Sequence, residues 1–142
     1  MELQCPIYSE NKYQSEDLDF VTAALVDDLK TALEPLGFVH TGQPPAPLSF
    51  GGTYIDPSNC ARINTGLGFL RVITPTHSVM DRLIAAAAWN EPQSLEQALL
   101  VTEFCSERID WQALDEWVIR EGIQSSKEIV EYYETANRKC PR

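Results

Sequence analysis

The stretch that decides the fold runs from Leu70 to Val101, with the sequence LRVITPTHSVMDRLIAAAAWNEPQSLEQALLV. An apolar run over Phe69–Ile73 predicts a buried strand that contains one arginine, Arg71. Thr74–Thr76 break this strand, and helical periodicity follows. A strand that leads into two short helices is the expected core of a small domain of mixed α and β structure.

Two successive helices are predicted after the strand. The first is expected to begin at Ser78, with Asp81 three residues later as in a capping box. The second is expected to begin at Ser94, which stands three residues before Gln97. Helical spacing predicts their inner faces, which comprise Val79, Leu83, Ala86 and Ala87 in the first helix and Leu95, Ala98, Leu99 and Thr102 in the second.

The remaining elements are predicted from periodicity and from turn residues. Before the central stretch we expect a helix over Val21–Leu36 that ends at Gly37, a short strand at Phe38–Val39, a hairpin turn at Gly51–Gly52 and a strand around Cys60–Ile63. After it we expect a helix that ends at Gly122 and has the apolar face Trp111, Leu114, Trp117 and Val118. A last helix is expected to be capped by Ser125 and to have the apolar face Ile129, Tyr132, Tyr133 and Ala136.

Length and composition bound the classes of protein that fit. The chain of 142 residues predicts a single domain, with a sheet-rich part over 1–73 that includes one helix and a helical part over 74–142. No apolar run approaches a membrane span and no signal peptide is evident, so we expect a cytoplasmic protein. The net charge of -10 argues against broad binding to a nucleic-acid backbone. The four cysteines are widely spaced and predict reduced thiols.

The amino-acid sequence of the central stretch resembles that of a family of small bacterial nucleotidyltransferase-like proteins, the minimal nucleotidyltransferase and abortive-infection toxin-like superfamily. The matching segments are Thr74–Thr76, Asp81–Leu83, Trp89–Asn90, Gln93–Leu99, Ile109–Trp111, Trp117–Gly122, Tyr13–Phe20 and Pro45–Gly52. The resemblance implies an α+β fold with a small mixed or antiparallel sheet of nucleotidyltransferase type and a helical C-terminal half. It also implies that Ser15 and Arg82 bind substrate.

Asp17 and Asp19 are the candidate catalytic and metal-binding residues. They are two positions apart, and in a strand such residues point to one face. Two carboxylates placed in this way can share a magnesium ion, which would hold the phosphates of a nucleoside triphosphate. Arg82 is expected to contact either a phosphate or an acidic neighbour. His40 and His77 are isolated in the sequence, and each is expected to be an ordinary surface or capping residue.

The chain also departs from the family it resembles. No glycine precedes Gly37, so the phosphate-binding glycine loop is expected to have been lost by N-terminal truncation or to come from another chain. The usual third carboxylate would fall near Gly42, and Asp56 is expected in a loop because it precedes a proline. Met80 stands where the family commonly has a lysine.

Two functions of different classes fit these observations, beside an unrelated α+β binding domain. We favour a catalytically reduced nucleotidyltransferase-like domain that acts as an interaction or regulatory module. By analogy with such relatives, its setting would be a toxin–antitoxin system or a mobile element. The alternative is a magnesium-dependent enzyme that transfers a nucleotide from a triphosphate to a hydroxyl of a protein or small molecule. A homodimer or another protein partner is expected, because a domain without its N-terminal element would leave a strand edge and apolar area uncovered.

Overall fold

A computed structural model describes residues 8, 12, 25–37, 39, 49–50, 53–54, 60–65 and 68–141. The helices are α1 (Val26–Leu33, continued by a 3-10 turn over Glu34–Leu36), α2 (Pro75–Trp89), α3 (Pro92–Cys105), α4 (Trp111–Glu121) and α5 (Lys127–Lys139), with another 3-10 turn over Ser106–Arg108. The strands are β1 (Ser49–Phe50), β2 (Thr53–Tyr54), β3 (Ala61–Thr65) and β4 (Gly68–Val72).

The strands form two antiparallel hairpins, and the predicted α+β class is confirmed at this level. In the first hairpin, Phe50 pairs with Thr53, so the connection falls at positions 51 and 52 as predicted. In the second hairpin, β3 and β4 pair along their full length, from Ala61 opposite Val72 to Thr65 opposite Gly68.

The β3–β4 hairpin buries one face and exposes the other. Val72 is buried, and Ala61 and Ile63 pack against the same core. The strand predicted over Phe69–Ile73 is present as β4, but Phe69 and Arg71 are exposed, so the prediction that it is buried holds for one face only. The physical reason is the period of two: alternate side chains of a strand covered on one side face solvent.

Helix α2 begins three residues earlier than Ser78, and the predicted capping box of Ser78 with Asp81 was wrong. Pro75 occupies the first turn, where its fixed φ suits a helix and its missing N–H leaves no bond unmade. Thr74 is the N-cap, and its hydroxyl accepts a hydrogen bond from the backbone N–H of His77 at 3.2 Å. Ser78 lies inside the first turn and is buried.

Helix α3 repeats this arrangement one helix later. Pro92 again occupies the first turn and Glu91 is the N-cap, so the predicted cap at Ser94 was wrong. The Ser94 hydroxyl instead donates to the Glu91 carboxylate at 2.9 Å.

In α5 the N-cap is Ser126, one residue after the predicted Ser125. The Oγ of Ser126 accepts a hydrogen bond from the backbone N–H of Ile129 at 3.4 Å.

Three helices end at residues in the left-handed conformation. Gly37 follows the 3-10 turn after α1 with a φ of 90°, and Gly122 ends α4 with a φ of 70°, as predicted. Asn90 ends α2 with a φ of 54°, and asparagine is among the non-glycine residues that tolerate this region best.

The predicted strand at Phe38–Val39 was wrong at Val39, which lies outside any strand and is 86% exposed. Phe38 lies outside the described residues.

The core is formed mainly by helices α2 to α5. Helices α2 and α3 pack against each other more extensively than any other pair of the described elements. The predicted inner faces of α2 to α5 are confirmed at most positions, whereas Ala87, Leu99, Trp111 and Tyr133 are only partly buried. The largest fully buried side chains are Trp117, Tyr132, Leu83, Leu114, Ile129, Val79, Val101 and Thr102. The Thr102 hydroxyl lies 2.7 Å from the Tyr132 hydroxyl and also donates to the carbonyl of Ala98, so its polar atom is satisfied within the core.

Tyr8 joins the end of β4 to the end of α3. Its hydroxyl donates to the carbonyl of Ile73 at 2.6 Å, and the Cys105 thiol donates to the carbonyl of Tyr8. Burial raises the pKa of Tyr8 to about 12, so the hydroxyl remains a donor in alkaline solution as well as at neutral pH.

Cys60, Cys105 and Cys140 form no disulfide, and Cys5 lies outside the described residues. Among the described helices none is both long and apolar enough to cross a membrane.

Candidate functional site

An enclosed ion pair lies where α2 faces α3. The Arg82 Nε donates to the Asp81 Oδ2 at 2.9 Å, and Nη2 donates to the same oxygen. The third bond runs across the helix pair, because Nη1 of Arg82 donates to Oε1 of Gln97 at 3.0 Å. The side chains of Arg82 and Asp81 are only 13% and 14% exposed. The three hydrogen bonds of this guanidinium group therefore go to two side chains of the α2–α3 unit, Asp81 and Gln97.

The carboxyl group of Asp81 is unusual in its protonation. Burial raises its pKa above the ordinary value, and the neighbouring Arg82 opposes that rise without cancelling it. Burial disfavours the charged form of an acid, whereas a cation favours it. Arg82 therefore favours the ionised form of Asp81, which burial disfavours.

Several polar side chains of α2 and α3 are buried. Gln97 is 3% exposed, Ser94 is 2% exposed and Thr76 is 6% exposed. The hydroxyl of Thr76 accepts a hydrogen bond from the backbone N–H of Asp110 at 2.9 Å, which fixes the start of α4 against α2. Each of these groups has a protein partner, and the bonds of Gln97 and Thr76 link α2 to α3 and to the start of α4.

His77 lies at the first turn of α2 and serves the cap. Its ring Nδ1 is 2.9 Å from the Thr74 hydroxyl. Burial lowers the pKa of His77 below its ordinary value, which favours the neutral imidazole at pH 7. The sequence prediction of a capping role agrees with this position.

The residues predicted to hold a metal are not among those that the structure describes. Asp17, Asp19 and Ser15 lie outside the described ranges, as do His40 and Asp56. Within those ranges, no group of three or more His, Cys, Asp or Glu side chains is placed to hold a metal ion. The structure thus places Arg82 of the predicted site and brings it together with Asp81 and Gln97.

A second polar surface, on the β3–β4 hairpin, was not singled out from the sequence. We define the hairpin outer face as Arg62, Asn64, Phe69 and Arg71, all of which are exposed. Arg62 stands directly opposite Arg71, and Asn64 stands opposite Phe69. The Arg62 guanidinium lies over the Phe69 ring, 3.5 Å from its centroid. The register of the hairpin was needed to find this surface, because the four residues belong to two separate strands.

Comparison of the chain with models of known protein families, with curated proteins and with solved structures finds no match in any of the three. The family likeness therefore rests on the quoted sequence motifs, and it stays a prediction.

Proposed function

We propose that this protein is a catalytically reduced nucleotidyltransferase-like domain that acts as an interaction or regulatory module. The finer fold assignment to the nucleotidyltransferase type and a cytoplasmic location belong to the same proposal. The observation that carries it is the state of Arg82. In the resembled motif this arginine was the candidate for phosphate binding, and here its guanidinium bonds to Asp81 and Gln97 inside the fold.

The geometry of Arg82 supports a structural role because phosphate binding would require the loss of these bonds. A triphosphate competing for the guanidinium would leave Asp81 as an unpaired carboxylate and Gln97 without its donor. Removing one partner of an enclosed ion pair costs about 3–5 kcal/mol when burial is complete. An open phosphate site would avoid this cost by presenting an arginine without such partners.

A second observation in support concerns Met80, which stands where the resembled family commonly has a lysine. Met80 is 6% exposed and belongs to the hydrophobic core. A lysine ammonium at this position would have to leave the core or lose its charge. The packing of α2 therefore favours an apolar residue here, and the phosphate-neutralising cation is replaced by a core side chain.

The alternative remains a magnesium-dependent enzyme that uses Asp17 and Asp19. The spacing of these two carboxylates in the Tyr13–Phe20 segment is the observation that favours it. No acidic residue lies between Glu34 and Asp56, where the third metal carboxylate of the resembled family would fall.

Isothermal titration calorimetry with each nucleoside triphosphate in the presence of magnesium separates the two functions. The module predicts no saturable heat with any of the nucleotides. The enzyme predicts saturable binding that is lost when Asp17 and Asp19 are both replaced by asparagine. Asp27→Asn with Asp28→Asn is the matched control, because these exposed residues on α1 carry the same charge. Binding that survives in the control and disappears in the test variant would overturn the module proposal.

The module is proposed to act with a protein partner, and homodimerisation is the simplest form of that proposal. Several large apolar side chains are exposed in the described part of the chain, including Trp89 at 72% and Ile119 at 66%. Light scattering across a concentration series tests this point. A mass of one chain at every concentration would remove the homodimer and leave a different protein as the partner.

A further inference from the structure

The β3–β4 hairpin leaves one edge of β3 open. Among the described residues, β3 pairs with β4 alone, so no strand lies beside β3 on the side that faces away from β4. An open edge presents backbone N–H and C=O groups that can pair with another strand. The edge of β3 can therefore bind a partner through its main chain.

The register of the hairpin identifies which backbone groups point outward. Thr65 and Gly68 form the closing pair of a two-residue connection, and such a pair is hydrogen-bonded. Antiparallel pairs then alternate, so Arg62 and Asn64 belong to pairs that exchange no hydrogen bonds with β4. The N–H and C=O groups of these two residues therefore point away from β4, toward the open edge.

The outward edge of β4 is less accessible, because Tyr8 lies against one end of it. Ile73 follows the last residue of β4, and the same alternation directs its carbonyl group outward. This carbonyl group accepts a hydrogen bond from the Tyr8 hydroxyl at 2.6 Å, and Tyr8 is buried. Of the two edges of the hairpin, β3 is therefore the more available to a second strand.

The β3 strand lacks the features that commonly protect an edge. It contains no proline and no lysine, and its five pairs with β4 run without a bulge. Its one charged side chain, Arg62, lies over the Phe69 ring of β4, with the guanidinium carbon 3.5 Å from the ring centroid. The charge is therefore held toward β4 and away from the open edge.

We propose that β3 pairs with β3 of a second copy of this chain, antiparallel and about a two-fold axis at Ile63. Each copy then contributes the same surface, as in other two-fold symmetric dimers, and the two hairpins form one continuous sheet. This inference rests on the proposed function, in which the module acts with a protein partner, and it names the surface through which the homodimer forms.

The β3 sequence is self-complementary in this register. Arg62 of one copy lies opposite Asn64 of the other, so both outward-pointing residues donate and accept main-chain hydrogen bonds. A cation faces a neutral amide, whereas a register centred on Arg62 would oppose two guanidinium groups and be destabilised. Ile63 is only partly buried against the core, and it would lie opposite Ile63 of the second copy. The pairing therefore covers apolar surface as well as backbone groups.

The test variant is Asn64→Pro, because proline removes the outward N–H at this position and leaves the bonds between β3 and β4 in place. Asn64→Ala is the matched control, because it removes the same side chain and keeps the backbone N–H. Light scattering across a concentration series measures the dissociation constant of the dimer for each protein. Circular dichroism and thermal unfolding check that both variants remain folded.

The proposal predicts a concentration-dependent dimer. Its dissociation constant should rise about tenfold or more in Asn64→Pro and should stay within about threefold of the original value in Asn64→Ala.

Amide hydrogen exchange of the unchanged protein, followed by NMR spectroscopy, provides a second measurement that needs no variant. The amides of Arg62 and Asn64 should exchange slowly at concentrations where the dimer forms and rapidly where the monomer predominates. The amide of Ile63 points toward β4 and should be protected at every concentration.

Three results would contradict the proposal. They are a mass of one chain at every concentration, a dimer that is as stable in Asn64→Pro as in the unchanged protein, and a dimer that forms without slower exchange at Arg62 and Asn64. Failure here is distinct from failure of the proposed function. A monomer that binds no nucleotide removes the strand pairing and leaves the module with a different protein as its partner. Nucleotide binding that requires Asp17 and Asp19 removes the module, whatever the mass of the protein.

Discussion

Replacing Arg82 by methionine removes the cation from the α2–α3 pair and keeps an unbranched side chain of similar length. The variant loses both bonds to Asp81 and the bond to Gln97. Breaking a buried ion pair on one side costs about 3–5 kcal/mol, and the side chains here are 13% and 14% exposed. We therefore expect a loss of about 3 kcal/mol in the free energy of unfolding, or about 10 °C in the melting temperature.

Urea unfolding followed by circular dichroism measures this loss, and Arg120→Met is the matched control. Arg120 also has an acidic sequence neighbour, with its Nε 3.5 Å from the Glu121 carboxylate, but the Arg120 side chain is 57% exposed while that of Glu121 is 13% exposed. A guanidinium that faces solvent is screened by water, so Arg120→Met should lower the free energy of unfolding less than Arg82→Met does. The comparison isolates the enclosure of the arginine, because both arginines lie beside a poorly exposed carboxylate on a helix.

A double-mutant cycle with Asp81→Leu separates the ion pair from the Gln97 bond. The Gln97 bond is lost in Arg82→Met and in the double variant alike, so its contribution cancels in the coupling energy. We expect a coupling energy of about 2 kcal/mol, so that the loss of free energy of unfolding in the double variant is smaller than the sum of the losses in the two single variants. Additive single changes, or an Arg82→Met loss no larger than that of Arg120→Met, would refute the structural role of this pair.

The pH dependence of the free energy of unfolding provides an independent test of this ion pair. Burial raises the pKa of Asp81, and removing Arg82 removes the charge that lowers it, so the pKa should rise further in Arg82→Met. A carboxyl group with a higher pKa in the folded state binds more protons when folded, so stability falls as the pH rises through that pKa. The loss of free energy of unfolding in Arg82→Met, relative to the unchanged protein, should therefore be smallest in acid and largest at neutral pH. A deficit that grows on acidification would contradict this assignment.

Three further substitutions test the helix ends and the core. Thr74→Ala removes the cap that accepts from the N–H of His77, and urea unfolding should show a loss of about 1 kcal/mol; an unchanged midpoint would place the cap elsewhere. Gly122→Ala forces a side chain into a φ of 70°, which should lower the free energy of unfolding by about 1 kcal/mol, and an increase would argue against the left-handed end of α4. Tyr132→Phe removes the hydroxyl bonded to Thr102 and should cost about 1 kcal/mol by thermal unfolding, with no loss if that bond is absent.

The inner faces of the helices could be predicted from sequence because they depend on one period. Leu114, Trp117 and Val118 of α4 recur at the spacing of a single helix face, and all three are buried. The helix starts could not be placed as well. A Ser with an acidic or amide residue three positions later occurs at Ser78 and Ser94, but a proline just before each places both serines inside the first turn.

The candidate site depended on contacts that no local pattern contains. The sequence left open whether Arg82 meets a phosphate or an acidic neighbour, and its partners in the fold are the adjacent Asp81 and Gln97 on the next helix. The contact with Gln97 requires the packing of α2 on α3, which sequence spacing does not fix. Likewise, Arg62 and Arg71 become a pair only through the register of the β3–β4 hairpin.

The surroundings of Arg82 indicate what its charge does in this fold. The Arg82 guanidinium is enclosed and bonded to a carboxylate and an amide of its own chain, so its charge stabilises the helix pair. A guanidinium held in this way is not available to an external anion unless those bonds break, so Arg82→Met should lower the free energy of unfolding and should create no change in the heat of mixing with a nucleoside triphosphate.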